Sequence, residues 1–142
     1  MDKLNSNILT IANLKDDEII YIDGPIIKTK KINFYESYFY NTKNEESICN
    51  CMEKIVKDLV FMKNDFLSDE NNKMIKIKKK ILFEYSQLLI NNLIKKIFLY
   101  KINSKKIYGF FLELKIKEFS DILKTILTKE EYLLIENLLL KL

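Results

Sequence analysis

The chain has 142 residues, 48% of them hydrophobic and 31% charged, which is enough apolar material for one domain with a single core. It contains no His, and all 24 of its basic residues are Lys, so the commonest general base, the commonest metal ligand and the guanidinium fork are missing. The net charge of +4 comes from lysines interleaved with 20 acidic residues, which is typical of a mixed-sign surface. These features exclude most catalytic schemes and predict a non-enzymatic protein without a metal or cofactor.

The N-terminal part of the chain shows two local patterns. Apolar residues recur at helical spacing over residues 3–14, which predicts a short helix. Residues 18–23 (EIIYID) are rich in β-forming side chains and run into the turn sequence DGP. A small hairpin and an irregular N-terminal arm over residues 1–29 are both open interpretations.

Aromatic residues dominate the next stretch, residues 30–40. The helical spacing of Tyr35 and Tyr38 favours a short helix laid on the core over a stacking platform for nucleic-acid bases. Aromatic side chains also anchor protein interfaces. We therefore expect Phe34, Tyr35 and Tyr38 to contribute to a partner-binding surface.

A clear amphipathic pattern predicts a helix over residues 45–66. Thr42 and Glu45 have the spacing of a capping box that would begin it. Methionines in an apolar stripe usually fill the core, but they also form adaptable binding grooves, so Met52 and Met62 are candidate partner-binding residues. The stripe that steps by three and four consists of Ile48, Met52, Ile55, Leu59, Met62 and Phe66.

The two cysteines, Cys49 and Cys51, lie two residues apart on this predicted helix. Their side chains diverge by about 200° around the helix axis, so they cannot form a disulfide with each other. Reduced structural thiols are typical of the cytosol. Together with the absence of a leader-like or anchor-like apolar segment, this predicts a cytosolic or nucleocytoplasmic protein.

Residues 68–73 (SDENNK) predict a solvated loop whose acids and amides lack the spacing and central glycine of a calcium loop. A dense run of lysines occupies residues 73–80. We interpret this run as the solvated entrance to the next helix, because it is short and has no Arg and no interleaved aromatic residues. A phosphate-binding patch is the alternative.

The stretch from Ile81 to Ile102 predicts the central helix of the fold. At about 1.5 Å per residue it is roughly 30 Å long, and it is too polar to span a bilayer. Its predominantly apolar surface requires neighbours on most sides, which indicates a bundle. Its polar residues form one predicted solvent-facing stripe: Glu84, Gln87, Asn91, Asn92, Lys95 and Lys96.

Two further helices are predicted over residues 105–127 and 129–141. Ser104 is positioned to cap the first, and Thr128 and Glu131 form a second capping box that begins the other. Gly109 would mark a close helix crossing or a boundary between two shorter helices. The predicted apolar faces are Tyr108, Phe111, Leu112, Phe119, Ile122, Leu123 and Ile126 in one helix and Leu133, Leu134 and Leu138 in the other.

The fold class predicted from these patterns is all-α. Residues 1–142 would form a single compact domain, a bundle of about five to seven helices around the central apolar helix. No nucleophile and base pair can be built around His, and the spacings of zinc sites and phosphate-binding glycine loops are absent. Neighbouring carboxylates such as Glu130 and Glu131 lie at helix starts, where the helix macrodipole already explains them.

The order of these patterns over residues 30–142 resembles the Bcl-2-like proteins of poxviruses, in which helices pack around a central apolar helix. KINFYESY and ICNCMEKIVKDL look like the first two helices of that family. KILFEYSQLLINNLIKK looks like the central helix, and FFLELKIKEFSDILKTIL and TKEEYLLIENLLLKL look like the last two. The resemblance implies a Bcl-2-like fold and a virulence factor that acts in the host cytoplasm by binding host proteins.

Two kinds of activity follow from this resemblance. Some members suppress innate signalling towards NF-κB or interferon by binding host adaptors, often as dimers, so a homodimer is one implied assembly. Others block apoptosis by holding the death-motif helix of a proapoptotic protein in a groove, typically through an Arg, and many carry a membrane tail. The lack of Arg and of such a tail favours the signalling inhibitors, although a Lys can replace the Arg as a point charge.

A third hypothesis is a small nucleic-acid-binding accessory factor. It depends on the lysines of residues 73–80, with Lys95, Lys96, Lys105 and Lys106, and it predicts binding that falls steeply with salt. We rank it last, after the signalling inhibitor and the apoptosis inhibitor.

Overall fold

The computed structural model describes residues 3–15, 17–31, 34–67, 73–99, 102 and 107–142. Most of this part of the chain is helical, as the sequence predicts, and a two-stranded sheet is the exception to the predicted all-α class. One cluster of buried apolar side chains includes residues from every one of these elements. In chain order they are α1 (Lys3–Ala12), β1 (Glu18–Asp23), β2 (Ile26–Lys31), α2 (Phe34–Leu67), α3 (Lys73–Leu99), α4 (Ile107–Ile126) and α5 (Lys129–Leu139).

β1 and β2 form an antiparallel hairpin, which decides between the two interpretations of the N-terminal segment. Gly24 has a φ of 59°, and the ring of Pro25 fixes a negative φ, which together suit a two-residue type II′ turn. Ile20 and Ile27 are almost completely buried, so one face of the hairpin belongs to the core. The helix and hairpin that precede α2 are therefore packed elements of the fold.

A buried asparagine joins α1 to the hairpin and to α2. The Asn7 side chain is fully buried, and its Oδ1 accepts a hydrogen bond from the Ile27 backbone N–H at 2.9 Å. Its Nδ2 donates to the Pro25 carbonyl at 3.2 Å and to Asp58 Oδ2 at 3.3 Å. Because these hydrogen bonds reach the hairpin and α2, Asn7 fixes α1 against both.

The C-terminal end of α1 is capped by polar side chains of α3. Asn92 Nδ2 donates to the carbonyls of Ala12 and Leu14, at 3.1 Å each, and Lys96 Nζ donates to the Lys15 carbonyl at 3.0 Å. Carbonyls at a helix C-terminus lack intrahelical partners and carry partial negative charge, so a cation is favourable there. The prediction that Asn92 and Lys96 face solvent is wrong, because both side chains bind these carbonyls and are buried.

α2 is one helix of 34 residues, whereas the sequence predicted an aromatic helix and a separate helix that begins near Thr42. No Gly or Pro interrupts the segment between them, and a capping-box spacing alone does not end a preceding helix. The predicted apolar stripe of residues 48–66 is confirmed: its side chains are buried, apart from Met62, which is partly buried against the core.

α3 begins at Lys73, eight positions before the predicted start at Ile81. The lysine run is therefore part of the helix itself, since none of its residues is a helix breaker. α3 packs against α1, α5 and α2. The predicted loop over residues 68–72 and the predicted cap at Ser104 lie outside the described residues.

α4 runs without a break through Gly109, so this glycine is not a boundary between two helices. Leu112, Phe119, Leu123 and Ile126 are buried as predicted, but Phe111 is half exposed because it lies at the edge of that face. In α5 the predicted Leu133 and Leu134 are mostly exposed, and Ile135 is the buried residue. With three leucines and one isoleucine close together, spacing alone does not identify which of them face the core.

The directions of the helices follow from the residues that share cavities. Cys49 of α2 and Phe111 of α4 line one small pocket, and Leu67 and Ile126, at the C-terminal ends of the same helices, line one cleft. α2 and α4 therefore run in the same direction. α3 and α5 both begin at this cleft and run back from it, and Ile97 and Leu139 near their C-terminal ends line a shared cavity at the opposite end.

We expect the substitution Asn7→Ala to lower the free energy of unfolding by about 2 kcal/mol, because it leaves the buried Ile27 N–H without its partner. Urea denaturation of the variant and the wild type measures this difference. Asn91→Ala, at an exposed position of α3, is the matched control and should change stability by less than about 0.5 kcal/mol. Equal effects of the two substitutions would show that Asn7 does not hold α1 in place.

The predicted capping box of α5 is confirmed by two reciprocal hydrogen bonds. The Glu131 backbone N–H donates to Thr128 Oγ1 at 3.2 Å, and the Thr128 backbone N–H donates to Glu131 Oε1 at 3.1 Å. Thr128→Ala should therefore cost about 1 kcal/mol of stability, whereas Thr128→Ser keeps the hydroxyl and should cost much less. Thermal denaturation of the pair tests this, and an Ala variant as stable as the Ser variant would contradict it.

Candidate partner-binding surface

The structure separates the five residues that the sequence nominated for partner binding. Met52 is fully buried in the core, where it has no surface to offer a partner in this conformation, and Met62 is partly buried against the same core. Phe34, Tyr35 and Tyr38 belong to the first turns of α2, and their side chains lie outside the described part of the chain. The two methionines therefore form no open groove of their own.

An open cleft lies at the end of the molecule where α2 and α4 end and α3 and α5 begin. Its volume is about 640 Å³. Apolar side chains form its floor: Leu67, Phe83, Ile126 and Leu127. Charged side chains stand at its rim: Lys76, Lys79, Lys80, Glu84 and Glu131. We call this site the lysine-rimmed cleft; Thr125 and Thr128 complete its lining.

Local structure explains why these side chains meet. Lys76, Lys79, Lys80 and Phe83 recur at helical spacing, so they lie along one face of α3. The connection between α4 and α5 is short, which brings Leu127 opposite that face. Ile126 and Leu127 are buried, whereas Leu67 remains 40% exposed and makes part of the floor accessible to solvent.

Three ammonium groups and two carboxylates, those of Glu84 and Glu131, line the lysine-rimmed cleft. Among the described residues, no carboxylate forms an ion pair with Lys76, Lys79 or Lys80. Glu131 is already engaged in the capping box of α5. The rim therefore has a surplus of one positive charge over an apolar floor, and its three lysines form no ion pair with a described carboxylate.

The lysines at the start of α3 are placed unfavourably with respect to the helix macrodipole. The first turn of α3 has no acidic residue, and Lys73 and Lys76 lie at its positive macrodipole end. The start of α5, on the other side of the cleft, has Glu130 and Glu131 in the favourable position. The charges of Lys73 and Lys76 are thus unfavourable with respect to the macrodipole of α3, which favours a role in binding an anionic group.

A second cavity, of about 530 Å³, lies at the opposite end of the molecule. Its lining combines the C-terminal part of α3 with α4 and α5, and it is mostly aliphatic, with Ile97, Leu112, Ile116 and Leu139. The Ser120 hydroxyl in its wall is hydrogen bonded to the Tyr132 hydroxyl at 2.8 Å and so joins α4 to α5. The lining of this cavity has no surplus of positive or of negative charge, so it does not indicate which kind of ligand would fill the cavity.

Neither cysteine is activated as a nucleophile. Burial raises the pKa of the Cys51 thiol to about 12, and it raises the pKa of Cys49 to about 11 with help from Glu45 and Glu46. Both thiols are buried and neither forms a disulfide, in agreement with the prediction that they do not bridge each other. At neutral pH both are protonated, whereas catalysis by cysteine requires the thiolate.

The described residues contain no group of three or more Cys, Asp and Glu side chains placed to hold a metal ion. None of the helices in the described ranges combines the length and the apolar composition that a bilayer-spanning segment requires.

Apolar side chains are also exposed away from the cleft. Phe61 on α2 is 87% exposed, and Phe98 near the end of α3 is 86% exposed. Phe110 and Phe111 are about half exposed and form an edge-to-face pair with their ring centroids 6.1 Å apart. Exposed aromatic residues of this kind are the usual anchors of protein interfaces.

Sequence reasoning singled out the lysine run but not the cleft. The signal was available in the spacing of Lys76, Lys79 and Phe83, which predicts that basic and aromatic groups share a helix face. The positions of Leu67 and Leu127 opposite that helix face depend on tertiary structure. No short-range sequence pattern predicts such a tertiary contact.

Comparison with protein-family models, with curated proteins and with solved structures finds no match to this chain.

The raised thiol pKa values predict slow modification of the folded protein. At pH 8 a disulfide reagent such as DTNB should react slowly with the native chain and rapidly with both thiols in denaturant, because the reactive thiolate is scarce in the folded state. A Cys49→Ser variant assigns the slower phase to Cys51. Complete reaction of the native protein at the rate of the denatured one would contradict the burial of these thiols.

Proposed function

We propose that this protein is a non-enzymatic virulence factor that suppresses innate immune signalling, towards NF-κB or interferon, by binding a host protein in the host cytoplasm. The observation that carries the binding role is the lysine-rimmed cleft, which combines an accessible apolar floor with a rim of lysines that form no ion pair with a described residue. Such a combination of apolar and charged groups is suited to a protein partner.

The host-signalling role is supported by the resemblance in helix order to the Bcl-2-like proteins of poxviruses. We propose a Bcl-2-like arrangement around α3 on the same basis. The buried positions Leu82, Leu89, Ile90 and Leu93 give α3 a continuous apolar face, which suits a helix with neighbours on several sides. α1, α2 and α5 are those neighbours.

The chemistry of the chain supports a binding role over an enzymatic one. There is no His or Arg in the sequence, and the two thiols have raised pKa values. A binding protein needs only a complementary surface, which the exposed apolar side chains and the cleft provide. We favour a signalling adaptor over a proapoptotic protein as the partner, since the groove-binding members of the Bcl-2-like family typically use an Arg and this sequence contains none.

The test is a reporter assay in human cells that express the full chain, with NF-κB and interferon promoters driving the readout. We expect the wild type to lower the induced signal and Leu67→Asp to abolish the effect, because it places a charge on the cleft floor. Leu88→Asp is the matched control, since Leu88 is 45% exposed on α3 and Leu67 is 40% exposed. Leu88 does not line the cleft.

Folded wild type that leaves both reporters unchanged would contradict the proposed function. Equal loss in the Leu67→Asp and Leu88→Asp variants would show that the cleft is not the surface involved. Calorimetric titration with death-motif peptides addresses the apoptosis inhibitor in the same preparation, and submicromolar binding of one of them would replace our proposal with that function.

A further inference from the structure

We propose that the lysine-rimmed cleft binds an acidic amphipathic helix, a segment of the partner protein that carries Asp or Glu beside Leu, Ile or Phe. This inference rests on the proposed function and specifies the chemistry of the partner. Its evidence is the charge of the rim, the nature of the floor and the kind of element that forms the walls.

The floor of the cleft determines which apolar side chains the partner needs. The cleft measures about 640 Å³, within the range of roughly 300–1,000 Å³ that is typical of binding pockets. Phe83 is partly buried against the core, and Leu67 is 40% exposed, so both offer apolar surface that a partner would remove from water. Apolar side chains that recur at helical spacing on the partner fill such a site.

The rim of the cleft determines which charged side chains the partner needs. Lys76 and Lys80 are exposed one turn apart on α3, and Lys79 stands between them, half-buried. None of the three has an ion pair with a described residue. Carboxylates flanking the apolar residues of a partner helix would meet these ammonium groups, which steers association and fixes the orientation of the helix.

The walls determine the conformation of the partner. Residues of α2, α3, α4, α5 and the α4–α5 connection form the cleft, and no strand lines it. A peptide that binds by adding a strand would need the free edge of a sheet, and the described sheet consists of β1 and β2, which do not line this site. A helix satisfies its own backbone hydrogen bonds and needs only a groove.

Nucleic acid fits the same site less well. Phosphates would have to sit above an apolar floor, the chain has no Arg, and Phe83 is the one aromatic residue among the described residues that line the cleft. An oligonucleotide is therefore an outcome to be tested against the peptide.

Charge reversal at the rim provides the variants for the test. Lys76→Glu with Lys80→Glu reverses the rim, and Lys95→Glu with Lys141→Glu changes two exposed lysines elsewhere by the same net charge. Because Lys76 lies in the first turn of α3, a Glu there suits the helix macrodipole, which offsets the repulsion between a Glu at position 80 and Glu84, and the rim variant should melt close to the wild type. A second rim variant, Lys76→Gln with Lys80→Gln, removes the charge without reversing it.

The experiment is a selection from a displayed library of helical peptides, with Asp, Glu, Lys, Leu, Ile and Phe randomised on one helix face. We expect the selected peptides to be rich in Asp and Glu beside apolar residues. Their affinity should fall about tenfold or more for the charge-reversed rim variant, less for the Gln variant, and stay within about twofold for the control.

Three results would overturn the proposal. One is a selection that yields no binders or binders without acidic enrichment. Another is equal affinity of the selected peptides for the rim variants and the control. The third is binding of a single-stranded oligonucleotide or of phosphatidylserine vesicles that depends on Lys76 and Lys80 while acidic peptides fail to compete, which would assign the cleft to that ligand instead.

The reporter assay keeps this inference distinct from the proposed function. If the charge-reversed rim variant still suppresses signalling while Leu67→Asp does not, the cleft binds its partner through the floor alone. The proposal that the partner is an acidic helix is then wrong. If acidic peptides bind the rim but neither reporter responds to the wild type, the inference stands and the signalling function is wrong.

Discussion

The structure depends on the way α3 is fixed against the C-terminal end of α1. Asn92 donates to the carbonyl at the end of α1 and to that of Leu14 just beyond it, and Lys96 donates to the Lys15 carbonyl, which sets the rotation of α3 about its own axis. Lys76 and Lys80 precede them by sixteen positions, or about 160° around a helix, so they face away from α1. The same contact that holds α1 thus turns the lysine face of α3 towards the start of α5.

Charge is used differently at the two ends of α3. Near its C-terminal end, Lys96 is almost completely buried and serves the fold, because its ammonium group binds the Lys15 carbonyl beside the end of α1. Near its N-terminal end, Lys76 and Lys80 are exposed, with no ion pair to a described carboxylate, and Lys76 opposes the macrodipole of the first turn. Positions that do not serve local stability are where function is expected, which is why we place binding there.

The sequence predicted those features that depend on local chemistry. The buried stripe of α2 and the capping box at Thr128 follow from side-chain periodicity and cap geometry, and both are present. The predictions that failed depend on tertiary contacts. The sequence predicted that Asn92 and Lys96 face solvent, because the carbonyls that they bind, at and after the end of α1, lie some eighty positions away in the chain. The cleft was missed for the same reason, since it exists only where the ends of four helices meet.

The central claim is that the lysine-rimmed cleft is the surface through which this protein acts. The most direct measurement is the mapping of backbone amide chemical shifts while a selected acidic peptide is added to the isotope-labelled chain. Our account predicts that the shifts cluster at Leu67, at residues 76–84 and at residues 125–131. Shifts that cluster instead around Ile97, Leu112 and Leu139 would place the binding surface at the opposite cavity and contradict the account.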